Sequence, residues 1–369
     1  MYDKKEVVIL ATLNAWLPID GYGGIEKVTL QRTKYLKKLG YKVQIVGNIK
    51  DKNLANSVIS INKIIKYPSG LLPNIEWLLT LKWEKYISTF TKIKNEIWNA
   101  PILSDAGTYD PFHGYFLAKN LGIDRFLYYL HSNHYIINNR DRKIYQPLDK
   151  LGKFSMKINY GALNSRLNEL LKSKGYKSYF MPNGIEFPDL SEINKNPENY
   201  CLFIGLISKR KAPHYAIKIA KNLNINLKIV GPIQDYYYFD TMIRPFLSEK
   251  IEYLGEVSND ILKNLLKRSK CLLFTSVWDD PQPAVVLEAV SYGVPVLALN
   301  YGFYSGIYDM IEDYKNGFIG NFEDLIKHAS NIFELDRISI YEHSKNKWEW
   351  EKILINYHIP VIEKLGKDL

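Results

Sequence analysis

Short apolar runs alternate with stretches of helical spacing along most of this chain, and that alternation limits its fold more than any other feature. Val7–Leu13 is a run of strand type. From Gly24 to Leu39 the apolar residues Ile25, Val28, Leu36 and Leu39 share one helical stripe, Gly40 follows as a stop, and Lys42–Val46 reads as the next strand. The pattern restarts after residues 182–200, which hold three prolines and several turn residues and read as a linker. Cys201–Ile204 is then a strand, Pro213–Leu223 a helix, Leu227–Val230 a strand, and Ile261–Lys267 part of a helix. Cys271–Thr275, Pro283–Tyr292 and Val294–Leu299 continue as strand, helix and strand. Such a rhythm predicts parallel sheets covered on both faces. At 369 residues the chain is long enough for two such domains. Ligands in these folds bind at the carboxyl ends of the strands.

Charge separates the halves. Residues 1–189 carry 28 Lys and Arg against 16 Asp and Glu, a net +12, and the remainder carries 21 against 23, a net −2. The first half therefore suits an anionic partner: nucleic acid, an anionic membrane surface or a phosphorylated substrate. A solvated lysine surface explains the same count. Cys201 and Cys271 each sit in an apolar run, which gives neither a disulfide framework nor a metal site and fits a reducing, cytoplasmic compartment. No uncharged apolar run reaches the ~18–20 residues that span a bilayer. Val7–Leu13 reads as a strand rather than a signal peptide, since Asn14, Trp16 and Pro18 follow it instead of a small-residue cleavage site.

The densest chemistry lies between Thr275 and Ala298. A loop with Trp278, Asp279 and Asp280 leads from a strand end into a helix that starts around Pro283 and that Gly293 can close. Glu288 stands among Ala284, Val285, Val286, Leu287, Ala289 and Val290. A carboxylate inside an apolar helix needs hydrogen-bond partners, and a pair of ribose hydroxyls or a nearby Lys or Arg would serve. Eight helical residues span ~12 Å. That exceeds the ~5–9.5 Å between glycosidase carboxyls, so Asp280 and Glu288 suit two ends of one ligand better than two faces of one bond.

An acidic residue, seven further residues, Glu-Ala, then Gly and Pro resembles the donor-site signature of GT-B glycosyltransferases of family 4. Asp280 and Glu288 match its two acidic positions, with Asp280 where the family more often has Glu, and Pro283 and Ala284 fall within the signature. The resemblance implies that the first acid touches the sugar and the second holds the nucleotide ribose. Gly23 and Gly24, after the first strand, look like the family's glycine turn, where backbone and a helix N-terminus approach phosphate. Gly205 to Lys211 resembles the family's diphosphate segment, with Lys211 at its lysine and Leu206 where an Arg is usual; Lys209 or Arg210 would replace that cation. Asn164-Ser165, Pro182-Asn183-Gly184, Asp309 to Phe318 and the closing Trp348-Glu-Trp-Glu with Tyr357 extend the resemblance over most of the chain. His131, at the end of the run Phe126–Leu130, stands where the family places a histidine near the transferred sugar, and His134 is an alternative.

The resemblance implies an α/β, GT-B fold: two doubly wound Rossmann-like domains with a donor cleft between them. The expected boundaries are 1–181 (acceptor side), linker 182–200, 201–345 (nucleotide-sugar side), and a closing helix 346–369 crossing back to the first domain. It implies a retaining hexosyltransferase that uses a UDP-, GDP- or ADP-linked sugar and a glycan or lipid-linked acceptor. No cofactor is expected. No Asp-x-Asp occurs, which agrees with a metal-independent enzyme that stabilises the leaving diphosphate with Lys211 and helix N-termini. A phosphorylase or starch-synthase-like enzyme on the same fold is the alternative within enzymes. A non-catalytic nucleic-acid-binding protein is the alternative outside them, although no nucleic acid is expected. Residues 76–98 mix Trp77, Trp83, Tyr86, Phe90 and Trp98 with Lys82, Lys85, Lys92 and Lys94. That mixture suits peripheral contact with the inner face of a membrane, and equally a packed helix with a lysine face.

Overall fold

The structure, a computed structural model, describes residues 5–12, 15–18, 24–61, 88–105, 117–131 and 156–367. It divides into two compact units, Met1–Gly184 with Trp350–Leu369, and Ile185–Glu349. Counted by these units the charge asymmetry widens. The first holds 31 Lys and Arg against 17 Asp and Glu, a net +14, and the second 18 against 22, a net −4.

The first unit is built on β1 (Glu6–Leu10), β2 (Lys42–Gly47), β3 (Ser57–Ser60), β4 (Ile102–Ser104), β5 (Phe126–Leu130), β6 (Asn159–Ala162) and β7 (Lys177–Phe180). They form one sheet in the order β3-β2-β1-β4-β5-β6-β7, parallel throughout. Val7 to Leu10 and Phe126 to Leu130 are wholly buried, as strands covered on both faces must be. Helix α1 (Gly24–Lys38) buries Thr29, Arg32, Thr33, Tyr35 and Leu36. Its inward face is thus more polar than the stripe Ile25, Val28, Leu36, Leu39 read from the sequence. It is tolerated because Thr29, Arg32 and Thr33 all find hydrogen-bond acceptors. Helix α2 (Ser165–Ser173) starts at Asn164, whose Oδ1 accepts from the Leu167 amide at 2.8 Å. Residues from 350 onward complete this unit. Trp350 is fully buried, its Nε1 donates to Gln31 Oε1 at 2.7 Å, and a side chain at Gly184 would lie 2.7 Å from the Trp350 Cα.

The second unit holds β8 (Tyr200–Ile204), α3 (Pro213–Leu223), β9 (Asn226–Val230), β10 (Ile251–Gly255), α4 (Asn259–Arg268), β11 (Cys271–Phe274), α5 (Ala284–Ser291), β12 (Val296–Leu299), β13 (Gly317–Gly320), α6 (Phe322–Phe333) and α7 (Arg337–Trp348). Its strands order as β10-β9-β8-β11-β12-β13, again all parallel. Cys201 and Cys271 face each other in the β8–β11 register as buried free thiols. Ser258 and Asn321 cap α4 and α6, the latter with a reciprocal bond from the Asn321 amide to Asp324. Gly293 closes α5 at φ +67°, where an added Cβ would meet the Arg337 carbonyl at 2.3 Å.

Residues 185–200, read from the sequence as a linker, count with the second unit. Tyr341 Oη donates to the Pro188 carbonyl at 2.7 Å, Phe187 packs edge-on against Tyr341, and Arg337 Nη1 donates to the Asn194 carbonyl at 3.0 Å. The prolines break regular structure there, but the side chains of α7 hold the segment down. Of the basic and aromatic stretch 76–98, residues up to 87 lie outside the described residues. Phe90 is fully buried, Trp98 packs against the same cluster, and Lys92 and Lys94 are exposed. No helix among the described residues is long and apolar enough to cross a membrane.

Candidate functional site

In the second unit, the loops after β8 and β11 are stitched together at the carboxyl end of the sheet. The Val277 amide donates to the Arg210 carbonyl at 2.8 Å, and Thr275 Oγ1 to the Ala212 carbonyl at 3.1 Å. This brings Lys211 to Asp280: Nζ lies 2.6 and 2.9 Å from the two carboxylate oxygens. Ser276 Oγ stands 3.0 Å from Asp280 Oδ2 and 3.3 Å from the Arg210 carbonyl, and donates to one or the other. The pair is mostly covered but still open to solvent, with 18% of the lysine and 15% of the aspartate side chain exposed. Beside it, the Arg210 guanidinium lies 5.6 Å over the Trp278 ring, and its buried Nε has no hydrogen-bond partner. Lys209 is exposed.

Two helices begin here without side-chain caps. Ala212, in the left-handed region at φ +49°, precedes α3, and Pro283 precedes α5. At α3 no amide is spare: Pro213 has none, the His214 amide donates to Tyr238 Oη at 3.4 Å, and the Tyr215 amide to the Ala212 carbonyl at 3.0 Å. At α5 the Val286 amide donates to the Pro283 carbonyl, which leaves the Ala284 and Val285 amides for water or a ligand, and an anion answers both these amides and the helix dipole. Asp279 has a different task from its neighbour. Its Oδ1 accepts from the Tyr304 amide at 2.9 Å, fixing the loop after β12, and burial raises its pKa.

Glu288 is half-buried rather than enclosed in the core. Ala284, Val285, Glu288 and Tyr292 form the open face of the α5 segment, while Val286, Leu287, Ala289 and Val290 pack inward. The flanking apolar residues overstate its burial, because residues four apart share a helix face and adjacent ones do not. Pro283 is the N-cap rather than the first helical residue, and Ala284 opens the helix, exposed. Gly24 is the first residue of α1, also exposed, and a Cβ there would meet nothing within 4 Å. Gly23 and His134 lie outside the described residues.

In the first unit, His131 at the end of β5 belongs to a buried network that its sequence neighbours do not reveal. His131 Nε2 lies 2.8 Å from Asp105 Oδ1. Asp105, just past β4, also receives Arg32 Nη1 at 2.9 and 3.1 Å and Thr29 Oγ1 at 2.7 Å. Both Arg32 and Asp105 side chains are fully buried, and His131 keeps 5% of its side chain exposed. Burial alone would raise the Asp105 pKa, but the Arg32 charge and the bonds from His131 and Thr29 prevail and hold it well below the usual carboxylate range.

Arg32 Nη2 donates to Asn183 Oδ1 at 3.2 Å, and the guanidinium lies 4.0 Å over the Tyr129 ring. Tyr129 Oη in turn meets His358 Nδ1 at 3.1 Å, and His358 Nε2 donates to the Pro182 carbonyl at 2.8 Å. Burial, chiefly, pushes the His358 pKa down to about 3, so the ring is neutral, with Nδ1 accepting from Tyr129. Half-buried Glu26 also faces His131 and Asp105, its pKa raised mainly by burial. Among the described residues, no group of three or more His, Cys, Asp or Glu is placed to hold a metal ion.

Comparison with known proteins places this geometry. Residues 188–346 match the family of glycosyl transferases group 1. The uncharacterized glycosyltransferase MJ1607 of Methanocaldococcus jannaschii is 31% identical over 129 residues, 33% of this chain and 32% of that protein. The chain spans about a third to two fifths of the length of the curated relatives it matches. Sucrose-phosphate synthase from Thermosynechococcus elongatus superposes with a TM-score of 0.74 at 14% identity, covering 95% of this chain and 96% of that one. Anabaena HepE in complex with UDP-glucose superposes with a TM-score of 0.67 at 14% identity, over 99% and 100%. At such identity the likeness is one of fold, and the fold is the GT-B architecture of two Rossmann-like units.

Of the residues singled out in the sequence, the structure joins Lys211 to Asp280, sets Arg210 beside them, and places Pro283, Ala284 and Glu288 along the next helix. Sequence reasoning missed Arg32, Asp105 and His358, and had Asn183 only as part of the turn Pro182-Asn183-Gly184. One signal was available for Asp105, a lone acid directly after the strand Ile102–Ser104, at the end of the sheet where ligands bind. Arg32 gave none, since Lys27, Lys34, Lys37 and Lys38 make its helix look solvated.

Proposed function

We propose that this protein is a glycosyltransferase that moves a hexosyl group from a nucleotide diphosphate sugar to a glycan or lipid-linked acceptor, with retention at the anomeric carbon. The observation that carries the reading is the partly exposed Lys211–Asp280 pair beside the uncapped N-terminus of α5. An ammonium and the free first amides of α5 suit a diphosphate, which would draw Lys211 away from Asp280 and free that carboxylate for sugar hydroxyls. Arg210, with its unpartnered Nε, supplies the second cation in place of the arginine missing at Leu206. Glu288, on the open face of α5, holds the ribose hydroxyls, and Gly23 and Gly24 let phosphate approach the first unit. His131 contacts the transferred sugar. The group 1 match over 188–346 and the UDP-glucose in HepE support a nucleotide-sugar donor. Retention rests on the family resemblance.

The test is release of nucleoside diphosphate from a panel of UDP-, GDP- and ADP-sugars, with thermal shifts of the same nucleotides beside oligonucleotides. Turnover of one donor is expected, with its KM raised about 10- to 100-fold in Lys211→Met. Stabilisation by oligonucleotides alone would overturn the reading in favour of nucleic-acid binding.

A further inference from the structure

We infer that Asp105 and Arg32 are positioning residues that make His131 a hydrogen-bond acceptor toward a substrate hydroxyl. The inference rests on the proposed role of His131 at the transferred sugar. Its physical basis is the direction of one hydrogen bond. Asp105 is held ionised by Arg32 and Thr29, and an ionised carboxylate can only accept. The 2.8 Å contact therefore requires the proton of the bond to sit on His131 Nε2. In the neutral ring Nδ1 then carries a lone pair, and the hydrogen bond His131 makes among the described residues is at Nε2, not there. The group it can receive is a donor, such as a sugar hydroxyl. An unprotonated phosphate or carboxylate oxygen offers it nothing.

The support behind Asp105 is unusually deep. Arg32 does not only neutralise the carboxylate; it is itself fixed by Asn183 and by the face of Tyr129. Tyr129 also lies beside His131, with ring centroids 5.7 Å apart, and is held at its hydroxyl by His358. Among the described residues the imidazole is thus bounded by the Asp105 carboxylate at Nε2 and by Tyr129 alongside, with half-buried Glu26 a further charged group facing it. Such a surround fixes ring orientation as well as tautomer.

The tautomer can be read without any substrate. Protein labelled with 15N at its 7 histidines, with His131→Gln for assignment, should show His131 protonated at Nε2 in long-range proton–nitrogen spectra. Asp105→Asn should shift or mix that pattern while His358 keeps its own. If Asp105→Asn does not fold, Thr29→Val, which keeps the ion pair, should move the His131 signals in the same direction by less. An Nδ1-protonated His131 in the native protein overturns the inference, as does a pattern unmoved in a folded variant.

Kinetics supply the second reading. With whichever donor turns over, Asp105→Asn should lower kcat about 10- to 100-fold with donor KM within about twofold. Among deoxyfluoro analogues of that donor, one should lose as much rate as its deoxy counterpart, because fluorine can accept a hydrogen bond but not donate one. A fluoro analogue that restores the rate lost in every deoxy analogue would sink the acceptor role. If no donor turns over, the proposed function fails, while the spectra still decide the state of His131.

Discussion

The two units each place one ion pair at the carboxyl ends of their strands, and the two pairs are built differently. Arg32–Asp105 in the first unit is fully buried, and Asp105 also takes bonds from Thr29 and His131. Lys211–Asp280 in the second keeps 18% and 15% of its side chains exposed and stands at the uncapped start of α5. A fully buried pair cannot exchange partners without leaving a charge stranded, whereas a pair with part of both side chains open to solvent can be opened by a competing anion at smaller cost. The first is therefore architecture that orients a neighbour, and the second is a contact made to be replaced.

The sharpest way to break this contrast is to remove one cation from each pair. Arg32→Met leaves the Asp105 carboxylate buried and uncompensated and should cost about 3–5 kcal/mol of first-unit stability, measured by urea unfolding; a loss under about 1 kcal/mol would mean the site admits water. Lys211→Met should cost the fold no more than ~1 kcal/mol, yet raise the donor KM about 10- to 100-fold, the worth of a charged hydrogen bond. Its mirror, Asp280→Asn, should leave nucleoside diphosphate affinity unchanged or tighter, by calorimetry, while turnover falls. Weaker binding in Asp280→Asn would show that Lys211 needs its partner to be positioned at all.

His358 extends the contrast to pH. Its pKa falls from 6.5 to about 3 in the folded chain, so below pH 6.5 the unfolded state takes up a proton that the native state refuses. Its contribution to stability is complete above pH 6.5 and is lost progressively as pH falls toward 3, at about 1.4 kcal/mol per pH unit. Between pH 7 and 5 the native protein should lose about 2 kcal/mol more than His358→Gln, in parallel urea titrations. The smallest effect is expected at Glu288. On an open helix face, Glu288→Gln should change stability by less than ~0.5 kcal/mol and weaken donor binding about tenfold.

The sequence made the second sheet legible almost residue by residue. Its strands are continuous apolar runs buried on both sides, and Pro213, Gly293 and the capping residues mark the helix ends by local chemistry. Glu288 was found but misjudged, because an apolar neighbourhood in sequence is not a buried face in a helix. The network at His131 was invisible for a different reason. Its bonds join residues 26, 73, 151 and 229 positions apart, and nothing local distinguishes Arg32 from the solvated lysines around it. Long-range polar closure is decided by topology after the strands are ordered, so periodicity carries no trace of it.

Gly184 against Trp350 has a consequence for how the chain is made. Residues 185–349 form a contiguous unit that can collapse as soon as it clears the ribosome. The unit synthesised first must wait: Trp350 and His358, both wholly buried in it, emerge some 170 residues after β7 is complete. The usual order of vectorial folding, N-terminal domain first, is thereby reversed. A released chain truncated after Glu349 should display a finished second unit and a protease-sensitive first one.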